Sequence, residues 1–372
     1  MKLSLSDPVL GIDEKKALCA VIDSQWITMG DRVASFENAF AHAHGAEAAV
    51  AVSSCTAALH LGLLALGITA GDEVLVPSLS FVATANAVVY VGAKPVFVDI
   101  VEEDCPHLSL SDAEAKCTRQ TKAVIVMHYG GYQVDLAEWR TFADQRGLAL
   151  IEDAAHAPAI GDVGRIADVS AFSFFSNKNM TTAEGGMVIA RNPALLETIR
   201  SMRSHGMTTL TLDRHRGHAY SYDVTMLGFN YRMDELRAAI GFTQLRKLKT
   251  WNIARCASSR HYRNVIADYL PQCTVPFSRT HTTAAHLMPV VLPENTKRDR
   301  VMATMRENGV QTSIHYPPIH RFTYYRGMFP DLFLPRTESF SNRVLSLPLH
   351  PMLKKEHIEY IVGSLAKAIE NA

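Results

Sequence analysis

Short apolar runs recur along the first half of the chain: Ala48–Val52, Glu73–Pro77, Pro95–Ile100, Ala123–Met127, Leu148–Ile151 and Val169–Phe175. They are apolar throughout and do not alternate, which predicts strands buried on both faces. Helical stretches separate them. Residues 10 to 45 predict two helices broken at Trp26–Gly30. Further helices are expected from Cys55, up to Ala93, over 111 to 118 and from Asp135 to Arg146. This β-α alternation predicts an α/β fold with a mostly parallel central sheet flanked by helices. After Ala190 a helix over Ala194–Arg203 leads into a polar, His- and Arg-rich stretch, Ser204–Tyr222, expected as a loop. A long amphipathic helix begins at Asp234 and carries Leu236, Ala239, Ile240, Leu245 and Leu248 at helical spacing. The expected boundary lies near residue 250. Residues 1–250 then form a large domain with N-terminal helices, and 251–372 a small C-terminal α+β domain. The small domain has strands at 285–292, 311–316 and 345–351 and helices at 297–308 and 355–368.

The chain has 372 residues, with 37 Lys+Arg against 37 Asp+Glu, so the formal charge is zero. That balance gives no support for nucleic acid or an anionic membrane as partner. No apolar run approaches the ~18 residues of a spanning helix. The start, Met1–Pro8, lacks the apolar region of a signal peptide. The six scattered cysteines form no CxxC pair, which fits reduced thiols in a cytoplasmic protein. The histidines show no metal-binding spacing; His315 and His320 read as pocket-lining or solvated, and no metal is expected.

Candidate chemistry concentrates in two stretches. Phe172–Asn179 ends a β-like run in a polar turn holding one lysine, Lys178, before Glu184-Gly185-Gly186 and a second apolar run. Such a lysine is either an ordinary turn residue or a Schiff-base amine, whose pKa burial lowers. Twenty-five residues upstream, Ile151-Glu152-Asp153-Ala154-Ala155-His156 places an acid at a strand's carboxyl end. Ligands of open α/β sheets sit there. Asp153 is then either a helix N-cap or the partner of a protonated pyridine nitrogen. Ser53–Thr56 leads a strand into a helix, a start that favours either capping or a phosphate. Phe81 follows a strand and is either core or a ring-stacking aromatic. His128 and Tyr129 leave another strand end.

Together these segments resemble the DegT/StrS sugar aminotransferases, pyridoxal phosphate (PLP) enzymes of fold type I, as do Leu227–Arg232 and His315–His320. The resemblance implies an aspartate aminotransferase-like fold. It also implies an amino-acid donor, expected to be L-glutamate, and a keto-sugar acceptor, expected to be nucleotide-linked, with pyridoxamine phosphate as the intermediate cofactor form. By the same resemblance Lys178 forms the internal aldimine and Asp153 holds the pyridinium. His156 takes the ring oxygen, where the family more often has Gln. Cys55, Thr56 and Ser173 hold the phosphate, with Cys55 standing where the family has Gly. Phe81 stacks on the ring, and Asn230 reaches the phosphate of the neighbouring subunit, so the active sites of a homodimer are shared. Tyr129, Tyr316 and His320 are expected toward the substrate. The alternatives are amination of another cyclic ketone, such as an inosose, and a non-catalytic PLP-binding regulator.

Overall fold

The computed structural model describes residues 2–209, 217, 221–279 and 282–372. Its centre is a seven-stranded sheet of order β1-β7-β6-β5-β4-β2-β3. The strands are β1 (Val50–Val52), β2 (Glu73–Pro77), β3 (Lys94–Val98), β4 (Thr121–Met127), β5 (Ala149–Asp153), β6 (Val169–Ser173) and β7 (Gly186–Ala190). Only β7 runs against its two neighbours. The other strands therefore all point the same way, and their carboxyl ends share one edge.

Successive strand residues face opposite layers, and both layers are apolar. Val74, Val76, Ile151, Val169 and Ala171 pack under α3 (Cys55–Ala65), α4 (Ala83–Tyr90) and α7 (Pro193–Met202). Leu75, Val124, Val126 and Leu150 pack against α5 (Leu110–Lys116) and α6 (Leu136–Arg146). Toward β6 and β7 the same face meets α2 (Asp31–Ala43) through Phe36, Phe40, Phe172 and Phe174. This two-sided burial explains why the strand sequences do not alternate.

α1 (Ile12–Asp23) and α2 flank the expected break at Trp26–Gly30. Glu235 sets the turn between them: its buried carboxylate accepts from the backbone N–H groups of Gly30, Arg32 and Val33, each at 2.9 Å. Glu235 opens α8 (Glu235–Tyr269), an unbroken 35-residue helix capped by Asp234. Residue 250, the expected domain boundary, lies inside it. Its first half meets α1, where Gln244 and Lys247 both bond Glu14 at 2.8 Å. Its second half belongs to the C-terminal layer, where Tyr262 donates to Pro348 O at 2.9 Å.

That layer holds the antiparallel pair β8 (Met288–Val291) and β9 (Val344–Leu347), with α9 (Arg298–Glu307) and α10 (Lys355–Glu370) around one apolar cluster. The expected strand over Gln311–Tyr316 is not formed. Ser313 pairs with Ser346 in a single bridge, and the chain then turns away into Pro317-Pro318, which have no N–H for a ladder. Of the expected loop Ser204–Tyr222, residues 210–216 and 218–220 lie outside the described residues. All six cysteines are unpaired. Among the described residues no helix is long and apolar enough to cross a membrane.

Candidate active site

The strand ends on the shared edge bring the expected residues together. Asp153 closes β5 and is buried, with a relative exposure of 4%. It caps no helix. Its Oδ2 accepts from Thr84 Oγ1 at 2.7 Å, and its Oδ1 accepts the Ala155 N–H at 3.2 Å. Thr84 lies in the first turn of α4 and is itself joined to Ser80 Oγ at 2.6 Å. Two hydroxyls thus tether one carboxylate oxygen, and the rest of the carboxylate is left for a cation.

Lys178 follows β6 in the loop closed by its own N–H to Phe175 O. The residue is half-buried. Burial lowers its pKa from 10.5 to about 8, opposed by Asp153 and Cys55. About a tenth of the amine is therefore neutral at pH 7, far more than for an unperturbed lysine, and it is the neutral form that is nucleophilic. The residue after it is fixed: Asn179 Nδ2 donates to Asn252 Oδ1 and to Ala284 O, each at 2.8 Å.

At the β1 end, Ser54 caps α3 by accepting the Ala57 N–H at 3.1 Å. Cys55 and Thr56 form its first turn, where backbone N–H groups and the helix dipole favour an anion. The Thr56 hydroxyl has no hydrogen bond to the described residues and is free for one. Burial pushes the Cys55 thiol well above its usual range, with Asp153 adding and Lys178 opposing. Cys55 is a neutral thiol that keeps its backbone N–H. Gly186 passes close by: a Cβ there would lie 2.5 Å from the Ser54 carbonyl carbon. Ser173 closes β6 and is buried, accepting the Phe175 N–H at 3.4 Å.

His156 is 1% exposed. Its Nε2 lies 2.9 Å from the Tyr316 hydroxyl, while its Nδ1 has no partner among the described residues. Phe81 is 59% exposed, and its ring stands 6.3 Å from that of Tyr316. Tyr129 is buried, and its hydroxyl donates to His315 O. His320 has both ring nitrogens engaged, by Ser78 Oγ at 2.7 Å and Glu338 Oε1 at 3.1 Å. Its side chain anchors the Tyr316–His320 segment to β2 and has no nitrogen left for a ligand. His128 is likewise spoken for, bonding the buried Glu152 at 2.8 Å and the Val134 N–H at 3.2 Å. Asn230 is exposed and lies beside the end of β1, next to Tyr231, whose carbonyl takes the Ser53 N–H. No described residue of its own chain bonds its side chain.

Sequence reasoning did not single out Thr84, Asn179, Asn252 or His286. A hydroxyl three residues after Phe81 was a usable signal for Thr84. His286 Nδ1 meets Asn179 Oδ1 at 2.9 Å across 107 residues, a pairing that only the folded chain reveals.

These residues fit a phosphorylated pyridine cofactor. They offer an anion-friendly helix start with a free hydroxyl, a tethered carboxylate for a ring nitrogen, a buried unpartnered imidazole nitrogen for a ring oxygen, and an amine of lowered pKa. Fold and site together define a PLP-dependent aminotransferase of fold type I. The chain belongs to the DegT/DnrJ/EryC1/StrS aminotransferase family, whose profile matches residues 8–366. Among solved structures it is similar to Helicobacter pylori PseC, an aminotransferase involved in pseudoaminic acid biosynthesis, at 28% identity and TM-score 0.93 with both chains fully covered. It is also similar to DesV of S. venezuelae, solved with a ketimine intermediate: 34% identity, TM-score 0.87, covering 96% of this chain and 95% of that one. A third is NtdA of Bacillus subtilis, solved with bound cofactor PMP: 29% identity, TM-score 0.87, covering 96% of this chain and 81% of that one.

Proposed function

We propose that this enzyme moves an amino group from L-glutamate to the carbonyl of a nucleotide-linked keto-sugar, with Lys178 as its Schiff-base and proton-transfer residue. The observation that carries the proposal is the Lys178 amine, with its pKa near 8, close enough to the tethered Asp153 for the two charges to act on each other.

When bound, PLP supplies an electron sink that stabilises negative charge on the substrate carbon. The chain's own residues do the rest. Asp153, held by Thr84, keeps a positive charge on the ring nitrogen. The first turn of α3, Thr56 and Ser173 hold the phosphate, with Asn230 of the neighbouring subunit completing the cradle in a homodimer. His156 donates to the ring oxygen. Phe81 covers the ring face. Lys178 Nζ takes the proton from the donor's amine-bearing carbon and, in the second half, returns one to the sugar carbon that receives nitrogen. Tyr129 and Tyr316 line the substrate side. The kinship with PseC and DesV supports a sugar acceptor.

The test is a panel of UDP- and dTDP-linked keto-sugars incubated with L-glutamate and the PLP-loaded enzyme. An amino-sugar nucleotide and equimolar 2-oxoglutarate are expected, and Lys178→Ala abolishes both. Turnover of an inosose with none of any nucleotide-sugar would sink the acceptor assignment. Undiminished turnover by Lys178→Ala would sink the mechanism.

A further inference from the structure

Two buried imidazoles, His286 and His156, pack ring against ring, and each makes a hydrogen bond whose proton position can be assigned. Asn179 spends both Nδ2 hydrogens, on Asn252 Oδ1 and Ala284 O. Its Oδ1 therefore faces His286 Nδ1 at 2.9 Å as an acceptor, and His286 must carry its proton on Nδ1. The His286 ring lies 4.2 Å from that of His156, at 37°, and fixes the plane in which His156 sits. On the far side the Tyr316 ring lies nearly parallel to His156, at 19°, with its hydroxyl 2.9 Å from Nε2.

Two arrangements of that last contact are open, and they differ in what they leave unmade. If His156 Nε2–H donates to the Tyr316 oxygen, the Tyr316 O–H has no acceptor among the described residues, and Nδ1 becomes an unmatched lone pair as well. If the Tyr316 O–H donates to Nε2, only one group lacks a partner, the Nδ1–H of His156. Each buried unmade hydrogen bond costs about 1–3 kcal/mol, so the second arrangement prevails. We propose that Tyr316 is a positioning residue that holds His156 in its Nδ1–H tautomer, so that His156 presents one hydrogen-bond donor to an anionic oxygen of the bound cofactor.

The surroundings support a neutral donor rather than a cation. Burial holds the His156 pKa well below its usual value, and Lys178, His286, His315 and His128 add to the effect. No carboxylate bonds either ring nitrogen. Burial and Asp153 hold the Tyr316 phenol far above its usual range, so it stays a donor across the working pH range. A Gln amide donates through its NH2 whatever its neighbour does. An imidazole donates from Nδ1 only if something claims Nε2. With histidine at position 156, Tyr316 therefore carries a duty that glutamine would not impose.

The inference rests on the proposed role of His156 toward the cofactor ring oxygen, and the experiment separates the two. In the PLP-loaded enzyme, the visible absorption band is titrated with pH for wild type, Tyr316→Phe, His156→Gln and the double variant. A donor to the ring oxygen draws off negative charge and eases deprotonation of the chromophore. Tyr316→Phe should raise the midpoint by about one pH unit, the size of one lost charge-assisted hydrogen bond. In the His156→Gln background Tyr316→Phe should not move it. Equal shifts in both backgrounds, or none in either, overturn the proposal. In parallel, 15N spectra of histidine-labelled apoenzyme read the tautomer without cofactor. His156 should be Nδ1–H in wild type and lose that preference in Tyr316→Phe. An Nε2–H signal in wild type overturns the tautomer. A correct tautomer together with an identical midpoint in His156→Gln and His156→Ala overturns instead the contact to the ring oxygen, and with it the consequence proposed for Tyr316.

Discussion

The hydroxyl of Thr84 donates to Oδ2 of Asp153 at 2.7 Å, joining the first turn of α4 to the end of β5 across 69 residues. The same hydroxyl is in contact with Ser80 at 2.6 Å. The carboxylate proposed to face the ring nitrogen is therefore aimed by a two-hydroxyl relay, and no cation among the described residues bonds it. Hydrogen bonds to charged groups are worth about 1.5–3 kcal/mol. Thr84→Val should weaken PLP binding about tenfold or more, read by titrating apoenzyme with PLP in the visible. Ser80→Ala, one step removed, should have a smaller effect.

The lowered pKa of Lys178 has a signed consequence for stability. Its folded pKa is about 8, against 10.5 for an unperturbed lysine. Between these values the unfolded chain holds more protons than the folded one, so apoenzyme stability rises with pH across that window. Below about pH 8 the full cost of burying the charge is present. Lys178→Met apoenzyme should therefore melt higher than wild type at pH 7, and the difference should close toward pH 10. Thermal denaturation of both apo forms over pH 6.5–10.5 checks this.

Gly186 abuts the start of the anion loop. A Cβ there would lie 2.6 Å from Ser54 O and 2.7 Å from Cys55 N, backbone atoms that cannot rotate away. Gly186→Ala should displace the first turn of α3 and lower affinity for PLP by at least about tenfold, at ~1.4 kcal/mol per decade. Equilibrium dialysis against PLP measures it, with circular dichroism to show that the sheet persists.

Glu235 satisfies three backbone donors at the start of α2. Glu235→Ala leaves them without partners in a buried setting. Loss of about 3 kcal/mol or more is expected in denaturant unfolding, while Glu235→Gln, which keeps one acceptor oxygen, should lose less.

The strand set was legible because burial on both faces writes itself as unbroken apolar runs, and the sheet direction followed from helices placed between strands. Lys178, Asp153 and the Cys55-Thr56 helix start stood out as candidates because strand ends carry ligands in such sheets. Gln311–Tyr316 misled because its composition suits a strand, while among the described residues Ser313 alone of that segment makes a strand bridge, to Ser346. A lone histidine in a sequence gives no sign of what holds its nitrogens; for His320 these are Ser78 and Glu338, 242 residues upstream and 18 downstream. The Asn179–His286 contact and the aim of Thr84 depend on long-range packing that no local pattern records.

The helix α8, which begins by bracing the Gly30 turn and ends against Pro348, is about 52 Å long at 1.5 Å per residue. It acts as a girder. Bending it at residue 250 would mean breaking several consecutive main-chain bonds, so the C-terminal layer has no cheap swivel there. Asn252, on that girder, sets the lysine loop through Asn179. The loop that carries Lys178 is thereby pinned from two directions, by Asn252 on the girder and by the Ala284 carbonyl.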